Sequence, residues 1–145
     1  MKVVCLVFLL FCSMLCSAQT AQESHQPIHQ LRIYEIPEEN RQAFHDRFKD
    51  HAHRIMKKYG FTIVTMWESS SEGKLEFIYL LEWPNEAAMK KAWENFMADQ
   101  EWKDIKAETG KLHGTFVNRI TDRTLKLTDY SPQQTLLQKT SGFKD

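Results

Sequence analysis

Three histidines crowd one stretch of the chain, His45, His51 and His53. On a helix they invite a metal reading, and their spacing argues against it. Positions 51 and 53 fall on nearly opposite sides, 45 and 51 are not one turn apart, and no i, i+4 pair or HExxH is present, so no metal is expected. His51 taken alone is different, because it stands where an apolar stripe would place a core residue. It is either a buried imidazole hydrogen-bonded to a strand group or a pocket histidine able to donate, accept or hold haem iron. Haem is the one cofactor this chemistry suggests, and no other is identified. A second group is Arg32 and Tyr34 on one strand face with Tyr79 on another strand. Either they pack between layers, the arginine paired to Glu76 or Glu82, or they line a pocket of aromatic walls with a few inward polar groups. Trp67 joins them if its strand is paired in the register that turns it to the same side. The ligand-binding candidates are therefore Arg32, Tyr34, His51, Trp67 and Tyr79, and no catalytic residue is assigned. There is no GxSxG, and the glycines are too scattered to cradle phosphate.

The compartment is written at the N-terminus. Lys2, the apolar run Val3 to Leu15 and the small residues Ser17-Ala18 make a secretory signal peptide over 1–18, cut after Ala18. A spanning helix needs roughly 20 apolar residues, so no membrane span is expected. Secreted or periplasmic is the expected location. A lipid anchor on Cys16 is the rival reading, disfavoured by the bulky Leu15 before it. Cys5, Cys12 and Cys16 all lie in this segment, so the processed chain has neither disulfide nor thiol chemistry. Its stability must come from core burial, for which it carries Trp67, Trp83, Trp93 and Trp102 and most of its phenylalanines. Lysine plus arginine number 19 and so do the acids, and no long basic run occurs. Nucleic acid is not an expected partner.

Positioning these residues falls to one domain over 28–130, after a polar leader at 19–27 and before a loose tail at 131–145. Ile28 to Ile36 alternates, with Leu31 and Ile33 on one face and Arg32, Tyr34 and Ile36 on the other, as a strand does. Between Glu38 and Tyr59 the period becomes helical through Phe44, Phe48, His51, Ile55 and Tyr59, and Gly60 supplies the C-terminal cap. Phe61 to Glu68 and Leu75 to Trp83 read as strands joined through a loop of moderate length over 69–74. Asn85 caps a helix with Met89, Ala92, Trp93, Phe96 and Met97 on its apolar face. Asp99 to about Thr109 is a shorter helix, Gly110 and Gly114 bracket a turn, and a last strand runs from Gly114 at least through Ile120. The order β-α-β-β-α-β predicts an α+β, ferredoxin-like domain with strands one and three central and helices on one face. Strand three is apolar on both faces, Phe77, Tyr79, Leu81 and Trp83 on one and Ile78 and Leu80 on the other. A second copy of the sheet is expected to cover the helix-free face, giving a homodimer.

Several stretches together resemble the NIPSNAP family of the dimeric α+β barrel superfamily. They are Leu31-Arg32-Ile33-Tyr34 running into Pro37, and Phe44-x-x-x-Phe48-x-x-His51 in a helix ending at Gly60. Phe77-Ile78-Tyr79-Leu80-Leu81-Glu82-Trp83 follows, then Trp93-x-x-Phe96-x-x-Asp99-x-Glu101-Trp102, and Tyr130-Ser131-Pro132 near the end. The resemblance spans about Gln30 to Pro132; Gln100 stands where family members commonly have proline. It implies paired sheets closing into a barrel, with a pocket between sheet and helices. The superfamily includes cofactor-independent oxygenases and haem-binding or haem-degrading proteins, while the family itself has no agreed catalytic residues. The leading expectation is binding or processing of a small apolar or aromatic molecule. The alternatives are an oxygenase-like or haem-binding protein, and a structural or protein-interaction module without catalysis.

Overall fold

The computed structural model describes residues 27–137. The signal peptide expected at 1–18, nearly all of the leader, the three cysteines and the end of the tail lie outside the described residues. Strand β1 covers Ile28–Ile36; α1 (Arg41–Arg47), a π turn (Phe48–Ala52) and α2 (His53–Lys58) follow. Then come β2 (Thr62–Ser71), β3 (Lys74–Trp83), α3 (Glu86–Ala98), α4 (Gln100–His113) and β4 (Arg119–Leu125). The four strands form one antiparallel sheet in the order β2-β3-β1-β4. Strands one and three are central, as right-handed crossovers require. Among the described residues no helix is long and apolar enough to cross a membrane.

Register decides what each face carries. Ile28, Gln30, Arg32, Tyr34 and Ile36 of β1 stand opposite Trp83, Leu81, Tyr79, Phe77 and Leu75 of β3, and this shared face packs under the helices. Phe44 and Phe48 lie on Phe77 with ring centroids 5.3 and 4.6 Å away. A second aromatic cluster builds on Phe61, whose ring is 4.8 Å from Trp83 and 4.7 Å from Trp93. Phe96 stacks on Trp102 at 5.0 Å. Rings at such separations add attraction beyond the area they bury.

Side chains fix the helix ends. Asn85 accepts the Ala88 N–H at 2.8 Å, starting α3, and Asp99 accepts the Trp102 N–H at 2.9 Å, starting α4. Gly60, at φ +80°, takes the left-handed conformation that ends α2. The buried Asn40 amide donates to the carbonyls of His113 and Thr115 at 3.0 and 2.8 Å, tying the end of α4 to the start of α1.

Four expectations are corrected. The last strand, expected from Gly114, begins only at Arg119. The loop between β2 and β3 is only Glu72-Gly73: both have positive φ, 54° and 72°, the left-handed pair that lets two residues close a hairpin. Ser69 to Ser71 therefore extend the strand. Gly110 lies inside α4, which runs on to His113, and Gly114 at φ +68° ends it. His51 does not enter the sheet-facing stripe. At 3.6 residues per turn it would lie in line with Phe48 and Ile55, but the wider π turn brings Ala52 onto that face instead. Ala52 is buried and His51 only half-buried, on a groove with Thr109 and His113.

Candidate functional site

Between the sheet and the helices lies a cavity of about 480 Å³, within the size range of small-ligand sites. One wall comes from Tyr34, Phe44, Phe48 and Tyr79, the other from Trp93, Phe96 and Trp102, and Ala52 and Met56 help to close it. Met97 and Ile120, also lining it, are about half exposed, at 48% and 49%, and mark the side open to solvent. The polar side chains in this wall are Arg32, Arg47, Lys106 and the two tyrosines.

The polar groups at the sheet end form one continuous chain. Trp83 and Trp93 donate their indole N–H groups to Gln30 Oε1 at 3.1 and 2.9 Å. Gln30 Nε2 donates to both carboxylate oxygens of Asp122, at 3.1 and 2.8 Å. Asp122 pairs with Arg32, which donates to Tyr34 Oη at 3.0 Å, and the Tyr34 and Tyr79 hydroxyls are 3.0 Å apart. Of the two phenol hydrogens one serves that contact, and the second is not used by it. Arg32 is further held over the Trp93 ring, its Cζ 4.4 Å from the centroid. Burial works against the Arg32 charge, but Tyr34, Tyr79 and Asp122 outweigh it and hold its pKa above the ordinary value. Burial pushes the Tyr79 hydroxyl well above its usual range, and the neighbouring Tyr34 adds to this, so it keeps its proton at any working pH. Two buried donors have no acceptor among the described residues, Arg32 Nε and Trp102 Nε1.

Of the residues singled out from sequence, Arg32, Tyr34 and Tyr79 meet on the cavity wall. Trp67 does not: it pairs with Ile78 and so stands on the helix-free face, 49% exposed. His51 lies on the outer groove. The carboxylate paired to Arg32 is Asp122 of β4, whereas Glu82 contacts His29. Gln30, Arg47 and Lys106 were not foreseen as site residues. Gln30 carried a signal, a polar residue on the same strand face as Ile28 and Ile36; Arg47 and Lys106 read as ordinary surface cations of amphipathic helices.

These parts define a class: a ferredoxin-like α+β domain with an aromatic cavity enclosed between its sheet and its helices. Residues 29–132 match the NIPSNAP family model, and the chain belongs to the NIPSNAP family. The structure of an uncharacterized NIPSNAP-like domain protein from Burkholderia xenovorans is similar, with a TM-score of 0.64 at 14% identity over 81% of this chain and 99% of that one. A NIPSNAP family protein of unknown function from Agrobacterium tumefaciens gives 0.64 at 16% identity, over 75% and 95%. Another from the same organism gives 0.63 at 16%, over 73% and 97%. Identities this low carry the fold alone. No curated protein matches the sequence.

Proposed function

We propose that this NIPSNAP domain binds a small apolar or aromatic molecule in the cavity between sheet and helices, working as an exported homodimer. The observation that carries the reading is the cavity itself: about 480 Å³ between two aromatic walls, with the Arg32–Tyr34–Tyr79 chain at one end. An interior packed solid would have favoured a purely structural module. Haem held through histidine does not fit, since among the described residues the wall contains no histidine and His51 lines a different groove. An oxygenase-like reaction without cofactor needs a base to take a substrate proton. Tyr79 holds its own proton, and among the described residues no Asp, Glu or His lines the wall, which favours binding. Export rests on the signal sequence at 1–18, and dimerisation on the apolar helix-free face.

The test is native mass spectrometry of the exported protein, followed by identification of what it carries. A bound molecule with an apolar body is expected. Ala52→Phe projects a ring into the cavity and should abolish that binding while the fold survives. Unimpaired binding by Ala52→Phe would place the ligand elsewhere and overturn the reading.

A further inference from the structure

Two arginines line the cavity, and their surroundings differ. Arg32 is neutralised by Asp122. Arg47, at the end of α1, is half-buried and donates to Thr109 Oγ1 at 3.0 Å, with its Cζ 3.8 Å from the Phe116 ring centroid and 5.6 Å from that of Trp102. Among the described residues it makes no ion pair. Asp46 and Asp50 line the outer groove that Arg47 also reaches, yet neither pairs with it. Burial pushes its pKa down to about 10, with only the Tyr34 phenol acting the other way, so it remains charged at neutral pH. Lys106 brings a second cation to the wall, its Nζ 5.9 Å from the Trp102 ring centroid. Positive charge without a carboxylate partner among the described residues thus sits in a largely apolar wall, and the Thr109 bond and the ring contacts offset only part of its desolvation cost.

We infer that the molecule bound is an amphipathic carboxylate, its apolar body between the aromatic walls and its carboxylate on the Arg47 guanidinium, with Lys106 as a further donor. The inference rests on the cavity's being the binding site proposed above and adds the charge of the ligand. A planar guanidinium fork matches a carboxylate better than a single ammonium does, and a charge-assisted bond is worth most where water is excluded. Arg32 cannot serve equally, because its charge is already spent on Asp122.

Calorimetric titration of the full exported chain with matched pairs, naphthoate against naphthamide and decanoate against decanamide, separates body from charge. The acid should bind about tenfold or more tightly than its amide in at least one pair. Arg47→Gln should remove most of that preference, read as the ratio of acid to amide affinity. Arg47→Lys should keep part of it and Lys106→Gln should reduce it, and these two variants carry the test if Arg47→Gln fails to fold. Equal affinity for acid and amide in the parent, or a preference indifferent to both cations, overturns the carboxylate assignment and leaves the cavity reading standing. Failure of every probe to bind removes both.

Discussion

Asp122 is the residue on which the sheet end of the cavity turns. It accepts from Gln30 and is ion-paired to Arg32, and through them it holds two tryptophans and two tyrosines in place. Asp122→Ala should leave Arg32 without its counter-ion and Gln30 Nε2 without an acceptor. The Arg32 side chain is only 14% exposed, but that of Asp122 is 40%, so water recovers part of the loss. A destabilisation of about 1–2 kcal/mol is expected from chemical denaturation, with Asp122→Asn intermediate. No change in either variant would mean that the chain of bonds contributes nothing. Tyr79→Phe should cost about 1 kcal/mol, because it removes the hydroxyl partner of Tyr34 and one of the groups that support the Arg32 charge.

Asp99 links two elements. Its side chain caps α4 through Trp102 N and accepts from Lys58 at 2.9 Å and from Tyr59 at 2.6 Å, at the end of α2. The Tyr59 and Lys58 hydrogen bonds, then the Trp102 N–H, hold its pKa well below the ordinary carboxylate value. The unfolded chain therefore binds a proton more readily than the folded one. This contribution to stability is fully present above the unfolded carboxylate value, near pH 4, and is lost progressively as pH falls from there through the depressed folded value. Asp99→Ala should cost about 2 kcal/mol at neutral pH and flatten the acid side of the stability profile. An unchanged profile, followed by circular dichroism melting from pH 7 to pH 3, would refute the role. The cap was legible in the sequence only in part. Asp99 stood before an amphipathic stretch, but its partners on α2 are set by how the helices cross. The same limit explains the site. Alternation within β1 and β3 separated Arg32, Tyr34 and Tyr79 from Leu31, Ile33 and Ile78. That Arg32 stands opposite Tyr79, and Asp122 opposite Arg32, depends on register, which no single strand encodes. His51 was misplaced because a π turn leaves no signature in a helical period.

At the scale of the whole molecule, the face without helices remains. Two rows cross its middle: Trp67, Ile78, Ile33 and Thr121, then Thr65, Leu80, Leu31 and Arg123. Leu31, Ile33, Ile78 and Leu80 are only half-buried and Trp67 is exposed. Beyond these rows come Glu35, Glu76 and Arg119 on one side and Glu82 on the other. An apolar centre with a charged rim has the composition of an interface, and a patch of this kind is rare on a soluble monomer. A two-fold axis through the patch would bring it against its own copy and bury both. A chain starting at Gln19 should therefore scatter light with twice its monomer mass at micromolar concentration. Ile78→Glu should convert it to monomer without unfolding it, because the substituted side chain points away from the cavity and the helix-packed core. Stability should then cease to depend on protein concentration, whereas the parent's Tm should rise with it. A parent that is monodisperse as a monomer would end the dimer proposal. A dimer unmoved by Ile78→Glu would shift the interface to another surface.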